Sequence, residues 1–118
     1  DDSPFYRKIL MPMLQAAGYD VTAAARAADA LDLINKGRTF TAVVTDIEMP
    51  EMDGFAFAKR LRADERTAAL PVVALSAVVT ADSVERGRAA GFDDYVAKFD
   101  RPGLIAALKE QIDMSAAA

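Results

Sequence analysis

Apolar positions along the chain follow two alternating rhythms, one helical and one strand-like. Phe5, Ile9, Leu10, Met13, Leu14 and Ala17 recur at helical spacing, with Ser3 and Pro4 as a start signal and Gly18 as a stop. Pro12 removes a backbone donor inside that helix and predicts a kink. Residues 19–24 read as a short strand, and residues 27–36 as a helix with Ala30, Leu31 and Ile34 inward. Residues 40–46 form a near-continuous apolar run ending in Asp46, the pattern of a parallel strand buried on both faces. A loop marked by Met49, Pro50, Asp53 and Gly54 leads to a helix over about 55–62, and residues 70–76 form a second buried run ending in Ser76. A polar helix over 81–90 stops at Gly91, and residues 94–98 make a third strand ending in Lys98. Asp100 caps a last helix from 101 to about 113, with Leu104, Ile105, Leu108 and Ile112 on one face. The tail 114–118 has nothing to pack and is expected to fray.

Strands alternating with helices at this spacing predict an α/β fold with a parallel sheet and right-handed crossovers. Such a unit ordinarily opens with a strand before its first helix, and the pattern here starts on that helix. The expectation is therefore a domain over 1–113 whose first strand lies upstream of Asp1. At 118 residues the chain is one domain.

Composition narrows the chemistry. The chain has no Cys and no His, which removes disulfides, thiol catalysis, Ser–His pairs and His- or Cys-ligated metals. Carboxylates, lysines, hydroxyls and backbone groups remain. A net charge of −4 argues against the nucleic-acid backbone as a ligand. No run reaches the ~18 apolar residues of a membrane span, and the start, Asp1-Asp2-Ser3-Pro4, is unlike a signal peptide. A cytoplasmic setting is the simplest expectation.

In open α/β sheets ligands bind beyond the carboxyl ends of the strands. The polar residues that end the apolar runs, Asp46, Ser76 and Lys98, are therefore candidates, together with Asp1 and Asp2 before the first helix. Singly, each has an ordinary reading as a solvated acid, an Asx-turn, a satisfied loop hydroxyl or a surface amine. Converging on one sheet end, three carboxylates repel unless a cation neutralises them. An oxygen-only set suits Mg²⁺, which keeps several waters and needs few carboxylates. Lysine and a hydroxyl suit phosphoryl oxygens, and Asp is a nucleophile for phosphoryl transfer. The residues by themselves point to a Mg²⁺-dependent phosphoryl site.

Asp1-Asp2-Ser3, the run Asp46-Ile-Glu-Met-Pro-Glu-Met-Asp-Gly54, Leu75-Ser76-Ala77 and Tyr95-Val-Ala-Lys98 together resemble receiver domains of bacterial two-component systems. The ending from Gly91 through Tyr95 and Lys98 to Arg101 further resembles receivers of chemotaxis-type hybrid histidine kinases. The resemblance implies a five-stranded, doubly wound parallel sheet of flavodoxin-like order 2-1-3-4-5, whose first strand is the one missing here. It implies Asp46 as phosphoacceptor, and Mg²⁺ held by Asp1, Asp2, Asp46 and the backbone carbonyl of Glu48. Ser76 and Lys98 would contact the phosphoryl group, Ser76 and Tyr95 would act as the switch, and Glu48, Val78 and Phe99 would flank the site. The donor would be a histidine kinase or phosphotransfer domain, since this chain has no His. A downstream protein would read the surface of the last two helices and last strand.

One departure stands out. The family usually has proline after the lysine, joined by a cis peptide, whereas this chain has Phe99. A cis bond to a non-proline costs roughly 2.5–4 kcal/mol, so the reach of Lys98 depends on how that bond is set. A second reading is a receiver-like interaction module that is never phosphorylated. A third, a small aspartyl-phosphate hydrolase, meets Glu48 where such enzymes place a second Asp. Flavin binding lacks the Ser-, Thr- and Gly-rich phosphate loop it needs.

Overall fold

The computed structural model describes residues 4–24, 26–47, 52–77, 79–98 and 100–117. Its elements are α1 (Pro4–Ala16), α2 (Ala27–Asn35), β1 (Val43–Asp46), α3 (Gly54–Ala63), β2 (Val72–Ser76), α4 (Ala81–Ala90), β3 (Asp94–Ala97) and α5 (Arg101–Ala117). The strands pair in parallel in the order β1-β2-β3, Val43 opposite Val72 and Val73 opposite Asp94.

β2 explains the layering. All five of its residues are buried, and successive side chains point to opposite faces. Val72 and Ala74 join a cluster with Ala27 and Ile34 of α2, Phe57, Ala58 and Leu61 of α3, and Ala90 of α4. Val73 and Leu75 join the other cluster, with Leu10 and Leu14 of α1 and Leu104, Ala107 and Leu108 of α5. Helices cover both faces, as a continuous apolar run requires.

Capping sets the helix limits. Asp53 accepts the Ala56 N–H (2.9 Å) at α3, and Thr80 and Ser83 form a reciprocal capping box at α4. Gly91 ends α4 at φ 111°, a left-handed conformation suited to glycine. Asp100 accepts the Gly103 N–H (3.0 Å) at α5, as the sequence suggested. α5 continues to Ala117 rather than stopping near 113, and alanine favours the helical conformation there. α1 stays helical through Pro12.

The expected strand over 19–24 is not formed. Tyr19 and Val21 do pack against the α1/α5 cluster, but the segment has no ladder. In a 2-1-3-4-5 order that strand pairs only with the first, and no such strand exists among the described residues. Between this segment and β1 lies a groove of about 510 Å³, lined by Leu14, Val21, Ala27, Val44 and Phe57 among others. The three observed strands correspond to positions 3-4-5 of the expected order.

Two arginines brace the far end of the sheet from Asp46. Arg62 donates to the carbonyls of Gly91 (3.0 and 2.7 Å), Ala68 (3.0 Å) and Leu70 (2.6 Å), and pairs with Asp93 (2.8 Å). Asp93 also accepts the Val72 N–H (2.8 Å). Arg66 donates to the Ile34 carbonyl (3.1 Å) and Asn35 Oδ1 (2.9 Å), satisfying the end of α2, and pairs with Asp64 (2.6 Å).

Arg62→Ala is expected to cost about 1–3 kcal/mol in urea unfolding, because it removes the donor that several partly buried carbonyls share and the ion-pair partner of Asp93. Arg62→Lys should recover little, since one ammonium cannot reach all of these acceptors. The side-chain hydrogen bond from Arg66, with its backbone N–H, lowers the Asp64 carboxyl from 3.8 to about 2. A depressed carboxylate contributes stability that is present above its unfolded value and lost as pH falls through its folded one. The stability difference between wild type and Asp64→Asn should hold above pH 3.8 and shrink toward pH 2 in urea melts. A difference that stays flat across that window would contradict it.

Candidate functional site

β1 and β2 end on Asp46 and Ser76, and Lys98 follows the last residue of β3. The ladder holds these ends in step. Asp46 lies opposite Leu75 and Ser76 opposite Ala97. Pairing runs on past the strands through Ile47 N–H to the Leu75 carbonyl (3.0 Å) and Lys98 N–H to the Ser76 carbonyl (2.8 Å). Asp46 is 1% exposed and Ser76 2%.

Lys98 Nζ lies 2.5 Å from Asp46 Oδ2, with the lysine side chain 16% exposed and the aspartate side chain wholly covered. Buried charges are costly, and such a pair seldom improves on an apolar replacement. A charge kept at that cost in a strand-end cleft is a candidate for chemistry. The arrangement offers an anionic nucleophile, a cation beside it and a hydroxyl on the adjoining strand.

The backbone under Asp46 is held as tightly as its side chain. Thr45 Oγ1 donates to the Asp46 carbonyl (3.1 Å), and the Gly54 N–H donates to the Ile47 carbonyl (2.9 Å). A Cβ on Gly54 would lie 2.5 Å from the Asp46 carbonyl oxygen and 2.9 Å from Ile47 Cα. Only glycine lets α3 begin this close to the strand end. Sequence reading took Gly54 as a loop mark and missed Thr45; a polar residue inside an apolar run was the signal.

Tyr95 lies opposite Ala74. By the two-residue period it shares a sheet face with Ser76, the face covered by α3 and α4. Its ring meets Phe92 edge-on at 6.2 Å. Asp1, Asp2, Glu48, Val78 and Phe99 lie outside the described residues, and with Phe99 the peptide bond that follows Lys98.

The donor chemistry fits a hard divalent cation. Asp46 offers carboxylate oxygens, and a chain without His or Cys lacks the imidazole and thiolate ligands that favour zinc and other transition metals. Among the described residues no group of three or more acidic side chains gathers. The remaining expected ligands are Asp1, Asp2 and the Glu48 carbonyl.

The family model for the response regulator receiver domain matches residues 1–109. Chemotaxis protein CheY-3 of Vibrio cholerae is 35% identical over 114 residues, covering 96% of this chain and 85% of that protein. Hybrid signal transduction histidine kinase L of Dictyostelium discoideum is 38% identical over 104 residues, covering 83% of this chain, which spans only 6% of the kinase. Among solved structures, the receiver domain of a Pseudomonas aeruginosa sensor histidine kinase superposes with TM-score 0.84 and 30% identity, covering 96% of this chain and 93% of that one. That structure has a magnesium ion coordinated in its active site cleft.

Gly54→Ala should force α3 away from the Asp46 carbonyl. The expected loss is about 1–3 kcal/mol in urea unfolding, the range for overpacking a tight site. Unchanged stability would mean that this approach is not tight in solution.

Proposed function

Because the chain belongs to the response regulator receiver family of two-component signalling, we propose that it is a phosphorylation switch with Asp46 as phosphoacceptor. The observation that carries this reading is the buried Asp46–Lys98 pair beside Ser76 at adjoining strand ends.

A carboxylate oxygen of Asp46 attacks the phosphorus of a phosphohistidine on a histidine kinase or phosphotransfer domain. The O–P bond forms as the N–P bond breaks, and the imidazole leaves with the electron pair. Lys98, already at the carboxylate, follows the charge onto a phosphoryl oxygen, and the Ser76 hydroxyl donates to another. Burial of Asp46 keeps bulk water from the acyl phosphate. Asp1, Asp2, Asp46 and the carbonyl of Glu48 would hold Mg²⁺, which neutralises the charge of an anionic donor meeting clustered carboxylates. By the family resemblance, Glu48, Val78 and Phe99 would flank the phosphoryl group.

The readout follows from the neighbours of Ser76. Movement of Ser76 toward the phosphoryl group opens space on the sheet face that it shares with Tyr95. The ring repacks and changes the surface of α4, β3 and α5 offered to a downstream protein. With a net charge of −4 the domain itself is not a nucleic-acid binder. No described helix is long and apolar enough to cross a membrane. A cytoplasmic place beside its donor fits this reading.

Intact mass after incubation with acetyl phosphate tests it, with circular dichroism to check the fold of each variant. Wild type with Mg²⁺ should gain one phosphoryl group, and chelation should abolish the gain. Asp46→Asn should gain none, and Lys98→Ala should slow uptake roughly tenfold or more. A folded wild type that gains nothing with Mg²⁺ present would overturn the proposal in favour of an interaction module that is never phosphorylated.

A further inference from the structure

Arg86 lies on α4 with its guanidinium 4.1 Å above the centre of the Phe55 ring. It is an exposed residue, yet its charge is laid against a ring that is only 8% exposed. The neighbouring charges behave differently, Arg88 pairing with Glu85 across solvent at 3.5 Å. Phe55 directly follows Gly54, whose backbone presses on the Asp46 carbonyl. Phe55 also meets Phe92 at 5.6 Å, and Phe92 meets Tyr95 at 6.2 Å.

Gly87, next to Arg86, brings α4 down onto these rings. A Cβ there would lie 2.8 Å from the Phe92 ring and 2.9 Å from the Tyr95 ring. Two consecutive residues of α4 therefore hold the aromatic row, Gly87 by close approach and Arg86 by charge over the ring face. Phe55 and Phe92 need no function to explain their burial. Arg86 does call for an explanation, because a solvated helix face could have sent its guanidinium elsewhere.

We propose that Arg86 is a positioning residue for phosphoryl transfer, clamping Phe55 and with it the start of α3 against the Asp46 backbone. The inference rests on Asp46 being the phosphoacceptor. Since the guanidinium can be reached from solvent on α4, a partner that lifts Arg86 off Phe55 changes the reactivity of Asp46.

The test measures initial phosphoryl uptake from acetyl phosphate with Mg²⁺, by intact mass, per folded molecule, beside urea melts of each variant. Arg86→Ala and Phe55→Leu should each slow uptake by about threefold or more. Arg86→Lys, which keeps a cation over the ring, should restore most of the rate. The double variant should be no slower than Phe55→Leu alone, because both changes open one clamp. Arg88→Ala should match wild type. Unchanged rates, rate losses that multiply in the double variant, or lower stability with normal uptake would each overturn the clamp while leaving Asp46 as acceptor. A wild type that takes up no phosphoryl group overturns the acceptor reading and the clamp with it.

Discussion

A carboxylate taken out of water needs a cation or a proton close by, and Asp46 has Lys98 at 2.5 Å. The two residues are 52 positions apart in the chain. They meet because β2 lies between their strands and hydrogen-bonds to both, so the position of Lys98 depends on the register of two ladders. A one-residue slip in either would turn the paired side chains to the opposite face. The apolar run of the doubly covered β2 makes such a slip costly, since Val72, Val73, Ala74 and Leu75 would all change clusters.

The strand ends were the most legible part of the site. Asp46, Ser76 and Lys98 each follow an apolar run, and a polar residue at that point leaves the core at the carboxyl edge of the sheet. Local capping was legible for the same reason, with Asp100 and Gly91 acting through neighbours a few residues away. The 19–24 segment was misread, although Tyr19 and Val21 do face inward. Its alternation describes burial, whereas a strand also needs a partner to bond with, which alternation cannot supply. The strand expected over 70–76 begins two residues late because Pro71 has no N–H to give a ladder, though its carbonyl accepts from Val43 (2.8 Å).

Long side chains were the least legible. Arg62 reads as a surface charge on α3, yet it bonds the Gly91 carbonyl, 29 residues away. Arg86 reads as one of several charges on a polar helix, yet it covers Phe55. Helical periodicity assigns a residue to a face, but an arginine reaches past the face it starts from.

These arginines divide the molecule into a fixed end and an adjustable one. Arg62 and Asp93 tie together carbonyls and the Val72 N–H where β2 and β3 begin, in partly buried positions. Several bonds would have to break together for that end to move. At the carboxyl end, the contacts of Asp46, Lys98 and Ser76 include an ion pair, ladder bonds and the packing of Gly54. A change of charge at Asp46 acts at the carboxyl end of the strands, and the braced end keeps them in register while it does. Rigidity at one edge of a short sheet is what lets the opposite edge respond without unfolding.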